Sequence, residues 1–301
     1  MQREFRLSII TINYNGLKDT CALLKSIPRT EGIEIIVVDN ASATDEASAI
    51  ESAFPDVCVV RSRQNLGFAG GNNLGYRHSH GRYLYFINND TEFKDDANID
   101  FLIARLESSD NIGVVCPKIR FFWEDNPIQF AGYTPLSTVT LRNRAIGFGE
   151  KDHGQYDVPH PTPYAHGAAM LCKREAIEKA GVMPECYFLY YEELDWSMMF
   201  RRTGYELWYD PSATIYHKES QTTGQGSPLR TYYITRNRLL FARRNISRPK
   251  RYLTFIYLIF LVAVRDTARS MFGRRANLAK ATLRGIVGFF KGDQGRSTTY
   301  T

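Results

Sequence analysis

Five short runs rich in Val and Ile recur through the first 120 residues, at Leu7–Ile12, Ile33–Val38, Val57–Val60, Tyr83–Ile87 and Gly113–Cys116, with helix-like or polar stretches between them. Apolar runs with little polar alternation are what strands need when both faces of their sheet are covered. The expected fold is therefore α/β, built on a mostly parallel, doubly wound sheet. Such sheets bind ligands beyond the carboxyl ends of their strands. Three polar clusters stand at those ends: Thr11-Ile12-Asn13-Tyr14-Asn15, Asp39-Asn40 and Asn88-Asn89-Asp90. Asn and Asp also end strands simply as turn formers, but three such clusters on one edge point to a site.

At 301 residues, 44% hydrophobic and 13% aromatic, the chain can bury a full core. Its five cysteines are scattered, with no CxxC or Cys/His spacing, which argues against a disulfide framework or a zinc site and suits a reducing cytosol. The N-terminus passes from charged residues straight into the first strand, so no export signal is expected. Residues 229–301 carry sixteen Lys and Arg against Asp266 and Asp293, a net +14, which leaves residues 1–228 at −8 within the chain's +6. Two regions with different partners are expected, divided near residue 228. Residues 118–165 lose periodicity and hold Pro127, Pro135, Pro159, Pro161 and Pro163, as an irregular insertion beside the site would.

Asp39 ends a strand where a carboxylate can accept from a ribose hydroxyl or a base N–H. In Asn65–Gly75, closely spaced glycines open a helix, so that backbone N–H groups could approach phosphate oxygens. That segment is neither a Walker loop nor a GxGxxG fingerprint, which weakens an ATPase or dehydrogenase reading. Asp90 ends a buried strand; one carboxylate plus substrate oxygens suits Mg²⁺ or Mn²⁺, with Asn88 as a further ligand candidate. Tyr191-Glu192-Glu193-Leu194-Asp195-Trp196 puts three carboxylates at a helix start, with Glu192 and Asp195 on one face and Glu193 directed elsewhere. One of them can support the site while another does chemistry. His217, after an aromatic strand-like run, could complete a metal site begun by Asp90. His166 is a candidate for an acceptor-side contact.

Together and in this order, these pieces resemble glycosyltransferase family 2 enzymes of the GT-A fold, in particular a bacterial rhamnosyltransferase-like branch. The resemblance rests on Thr11–Gly16, Val37–Ser42, Asn65–Asn73, Phe86–Thr91, Gly167–Met170, Tyr191–Trp196 and His217, and covers about residues 6–240. It implies donor binding by Thr11, Asn13, Asp39, Asn65, Gly67, Gly70, Asn72 and Asn89, and a metal held by Asp90 and His217 with Asn88. It implies a sugar or acceptor side at Gly167, Ala168, Glu192 and Trp196, and a general base at Glu193, with Asp195 as the alternative. The sequence departs from the family pattern twice, with Asn88 in place of the first aspartate of a DXD-type motif and Glu in place of Asp at 193.

Tyr252–Val264 is a 13-residue apolar run flanked by Arg243, Arg244, Arg248, Lys250 and Arg251 before it, and Arg265, Arg269, Arg274 and Arg275 after it. A spanning helix needs roughly 20 apolar residues, so an amphipathic segment on an anionic surface is expected, or a helix packed on the catalytic domain. Nucleic acid is excluded as a partner for want of any reader motif. The function implied is inverting, metal-assisted sugar transfer from a dTDP-, UDP- or GDP-linked donor, with dTDP-L-rhamnose favoured by the branch resemblance. The acceptor would be a glycan or lipid-linked hydroxyl in surface polysaccharide synthesis, on the cytosolic face of a membrane. The rivals are a nucleotide-binding membrane scaffold without catalysis and a nucleotidyltransferase.

Overall fold

The computed structural model describes residues 5–219, 227–272 and 276–300, with backbone alone over 269–272. The first half alternates strand and helix: β1 Leu7–Asn13, α1 Leu17–Ser26, β2 Ile33–Asp39, α2 Glu46–Ala53, β3 Cys58–Arg61, α3 Gly67–Arg77 and β4 Tyr83–Ile87. There follow β5 Thr91–Phe93, α4 Ile99–Glu107, β6 Ile112–Phe121, β7 Ile128–Phe130, β8 His160–Pro161, β9 Ala169–Lys173, α5 Arg174–Ala180, α6 Glu192–Arg202 and β10 Glu206–His217. The sheet runs β3-β2-β1-β4-β9-β6-β10-β5, with β7 on β6 and β8 on β10.

The expected parallel sheet is the β3-β2-β1-β4 half. Beyond it, β9 lies antiparallel between β4 and β6, and β6 pairs parallel with β10, so the second half is mixed. The core runs through Ile9, Ile10, Ile36, Val37, Leu84, Phe86, Val114 and Leu171. The fifth expected strand extends to Phe121, because Lys118–Phe121 pair with Thr214–His217 on β10. The irregular insertion therefore begins after Phe121 rather than at 118. Inside it, Lys118 is bonded to Asp152 and Asp157, which pins the insertion to β6.

Helix α3 lies close on β1 and β2 because it is lined with glycine: a Cβ at Gly71 would meet Ile12 Cδ1 at 2.8 Å, and one at Gly75 would meet Ile10 Cγ2 at 2.4 Å. The C-terminal helices are α7 Pro228–Asn245, α8 Arg248–Ile256, α9 Val264–Phe272 and α10 Ala276–Lys291, with a π-helical stretch at Tyr257–Ala263 joining α8 to α9. Residue 228 divides the chain by charge but not by packing. Leu239, Leu240 and Phe241 of α7 share a core with Tyr187 and Leu141, and Gly285 of α10 lies against the Tyr232 carbonyl. Arg274 and Arg275 lie outside the described residues.

Candidate active site

The loops after β1 and β2 are bound into one unit. Asn13 Nδ2 donates to Asp39 Oδ1 (2.9 Å), Ser42 Oγ (3.2 Å) and Glu46 Oε2 (2.8 Å), while its Oδ1 accepts from Thr20 (2.7 Å). Asn89 Nδ2 donates in turn to Thr20 Oγ1 at 3.0 Å. Asn13, expected to touch the donor, is instead a brace: its amide is fully engaged in holding Asp39 and the loop. Thr11, also expected there, has a fully buried hydroxyl without a partner.

In the glycine-rich segment, too, several donors already have partners within the protein. Leu66 N–H donates to Asn40 Oδ1 (2.9 Å), Gly67 N–H to Asn65 Oδ1 (2.8 Å) and Phe68 N–H to the Phe188 carbonyl (2.9 Å). Three donors expected to reach phosphate are therefore satisfied internally. Gly67 has φ +72°, and a Cβ there would lie 2.2 Å from the Phe188 carbonyl oxygen; glycine is required for both reasons. Gly70 and Asn72 are buried, and Asn72 Nδ2 bonds the Phe68 carbonyl at 3.1 Å. Asn65, half-buried, remains at the edge of the loop.

At the end of β4, Asp90 Oδ1 lies 3.1 Å from His217 Nε2, and His217 Nδ1 lies 2.8 Å from Gln129 Oε1, all three side chains being buried. When Nδ1–H donates to Gln129, the Nε2 of a neutral imidazole presents a lone pair to a carboxylate oxygen. Two facing acceptors at that distance call for a proton or a cation between them, and a divalent metal fits both. Asn88 is tied by its backbone N–H to the Ala168 carbonyl at 2.9 Å, and its side-chain amide makes no hydrogen bond among the described residues. No group of three or more His, Cys, Asp or Glu placed to hold a metal ion occurs among the described residues. A metal here would take most of its ligands from substrate and water.

The three carboxylates of α6 have separate surroundings. Asp195 is fully buried and accepts three side-chain hydrogen bonds, from Tyr187 Oη (3.0 Å), Arg244 Nε and Asn245 Nδ2 (2.8 Å). It ties α6 to α7, and its three partners hold it toward that junction. Glu192 is buried with Oε2 unpartnered among the described residues; desolvation, then the charge of Glu193, push its carboxyl well above the usual range. Glu193 is also raised by burial, and its carboxylate bonds no other residue among those described. Its Cγ is 3.7 Å from where a Gly167 Cβ would be, and the Phe68 ring flanks the same corner at 3.8 Å. Trp196, expected on the sugar side, is core: its Nε1–H donates to the Gly181 carbonyl (2.8 Å) and its ring meets Phe86 edge-on. Ala168 is buried and contributes only backbone. His166 Nδ1 accepts from Ala168 N–H (3.1 Å), and burial, with His217 nearby, lowers its pKa to about 3.

Residues invisible to sequence reasoning hold this site. Phe188, Tyr190 and Tyr191 all have φ near +70° (69°, 67° and 79°), an uncommon conformation for bulky residues. The strained turn is clamped from α7: Asn237 Nδ2 donates to the carbonyls of Tyr187 (3.0 Å), Leu189 (2.6 Å) and Tyr190 (3.0 Å), and the fully buried Arg236 donates to Tyr187 (2.7 Å). Asn237→Ala strands the Leu189 and Tyr190 carbonyls and leaves Tyr187 to Arg236 alone, and is expected to cost about 2–3 kcal/mol, read as a Tm several degrees lower. Gln129, Arg236, Asn237 and Arg244 carry no local sequence signal; each is recognisable only by its partner.

A mixed sheet with ligand loops at its strand ends, an Asp–His pair and a free carboxylate at a helix start defines a GT-A type glycosyltransferase. The chain belongs to glycosyltransferase family 2, whose model, "Glycosyl transferase family 2", matches residues 8–181. It is 27% identical over 299 residues, 97% of this chain and 92% of its relative, to the low-salt glycan biosynthesis hexosyltransferase Agl10 of Haloferax volcanii. GalNAc-T7, solved with UDP, GalNAc and Mn²⁺, shares the fold with a TM-score of 0.60 at 15% identity, over 89% of this chain and 58% of that one. The mannosyltransferase PcManGT of Pyrobaculum calidifontis, solved with GDP-Man and Mn²⁺, does so with a TM-score of 0.56 at 16% identity, over 95% and 87%.

Proposed function

We propose that this glycosyltransferase moves a hexosyl unit, with inversion, from a nucleoside-diphosphate sugar to a hydroxyl of a glycan or lipid-linked acceptor in cell-surface polysaccharide assembly. The observation that carries the reading is the division of labour on α6. Asp195 is engaged by Tyr187, Arg244 and Asn245, the Glu192 carboxyl is pushed well up by burial, and Glu193, without a side-chain partner among the described residues, lies beside Gly167 as the base. Glu193 takes the acceptor hydroxyl proton as that oxygen attacks the anomeric carbon. Asp39 and Asn89 hold the nucleotide end, with Asn65 at the loop edge. Asp90 and His217 would hold Mg²⁺ or Mn²⁺, with Asn88 adjoining; when bound, the ion neutralises charge on the departing nucleoside diphosphate.

L-Rhamnose from dTDP-rhamnose remains the favoured donor, on the branch resemblance, and a deoxyhexose agrees with the hexosyltransferase name of the Haloferax relative. Turnover over a panel of dTDP-, UDP- and GDP-sugars with Mn²⁺ or Mg²⁺, read by release of the nucleoside diphosphate, tests this. One donor class is expected to turn over. Nucleotide binding without hydrolysis or transfer across the panel would leave the non-catalytic scaffold standing, and pyrophosphate release from an NTP would favour the nucleotidyltransferase.

A further inference from the structure

The C-terminal helices pack inward well and leave a second apolar face outward. Leu258 and Val262 are buried with Phe289 against α7, and Phe255 meets Phe289 edge-on at 5.4 Å, so α8, the π-helical stretch and α10 form one layer. On its outer side, Tyr252, Ile256, Phe260 and Val264 recur every fourth residue, each more than half exposed (63, 54, 66 and 58%). Leu283, Val287 and Phe290 of α10 make a second exposed ridge (54, 50 and 67%). Contiguous apolar exposure of this kind marks an interaction surface.

Charge decides the partner. Arg248, Lys250, Lys280, Arg284 and Lys291 are exposed on the same helices and make no ion pair among the described residues, while Asp266 is engaged by Arg265. A second copy of this surface would bring a +14 region against its like. No described helix is long and apolar enough to cross a membrane. We propose that the face formed by α8, Tyr257–Ala263 and α10 lies in the headgroup layer of an anionic phospholipid bilayer, its apolar ridges inserted and its cations on lipid phosphates. This also deepens the transferase reading, on which it rests only for the idea that a lipid-linked acceptor lies in the same leaflet.

The test is sedimentation of the full-length protein with phosphatidylcholine vesicles, with and without about 30% phosphatidylglycerol, at low and high salt. Binding to the anionic vesicles, weakened by salt, is expected. Phe260→Ser with Val287→Ser, and separately Lys250→Glu with Arg284→Glu, are each expected to lower it about tenfold or more with Tm unchanged. All four side chains are exposed, so folding is spared; should the serine pair lower Tm, the charge-reversal pair still decides. Equal binding of wild type and both variants, no binding to anionic vesicles, or a lipid-free dimer abolished by the serine pair would each overturn the proposal. Release of nucleoside diphosphate from a soluble donor, measured in parallel, keeps the readings apart: vesicle binding without turnover sinks only the transferase reading, and turnover without vesicle binding only this one.

Discussion

Glu193→Gln is expected to lower sugar transfer by about 10²- to 10⁴-fold while leaving donor affinity within about twofold, the pattern for loss of a positioned base. Gln preserves the shape and volume of the side chain beside Gly167 and removes only its ability to take a proton. Asp195→Asn should behave differently. It breaks the bonds from Arg244, Asn245 and Tyr187 that join α6 to α7, so its main effect is a lower Tm, with turnover per folded molecule largely kept. The pH profile gives an independent reading. Burial holds the Glu193 carboxyl above the ordinary glutamate range, so turnover falls as pH drops through that raised value. Its acid limb lies at higher pH than an exposed glutamate would give. Glu192→Gln should retain an acid limb, because Glu193 is still present to take the proton. Near-normal transfer by Glu193→Gln, with a folded but inactive Asp195→Asn, would move the base to Asp195.

The sequence made the parallel half of the fold legible because β1, β2 and β4 are buried on both faces and their side chains say so. It made the polar strand ends legible because chemistry at a sheet edge needs such residues there. What each polar group does was less legible, since composition cannot show which hydrogen bonds are already made. Asn13 and Asn72 look like ligand-binding amides in sequence and are bracing amides in space. The glycines of Asn65–Gly75 look like a phosphate loop in sequence, and two of them, Gly71 and Gly75, bring α3 onto Ile12 and Ile10. Arg236 counted only as part of a basic tail, yet it is fully buried under the strained turn before α6. Charge patterning marked the surface of the C-terminal region and hid its structural role.

The second large effect is expected at the metal. Asp90→Ala removes the carboxylate that faces His217 and should weaken Mn²⁺- or Mg²⁺-stimulated donor binding by at least about 10²-fold, more than loss of an outer partner costs. Titration calorimetry with the donor, with and without the ion, reads this directly, and metal-dependent affinity surviving the substitution would remove Asp90 from the site. Gln129 supplies the graded control. It touches His217 Nδ1, not the proposed ion, so Gln129→Ala should raise the metal concentration needed for half-maximal binding by about 10- to 100-fold and spare saturating activity. A purely structural Gln129 would lower Tm without moving that concentration. Asn88 stands where a second carboxylate would add charge, so among the described residues the proposed ion would meet Asp90 and His217 with a neutral amide beside them. A donor diphosphate that supplied further oxygens would make metal and donor bind cooperatively, each tightening the other by the same factor.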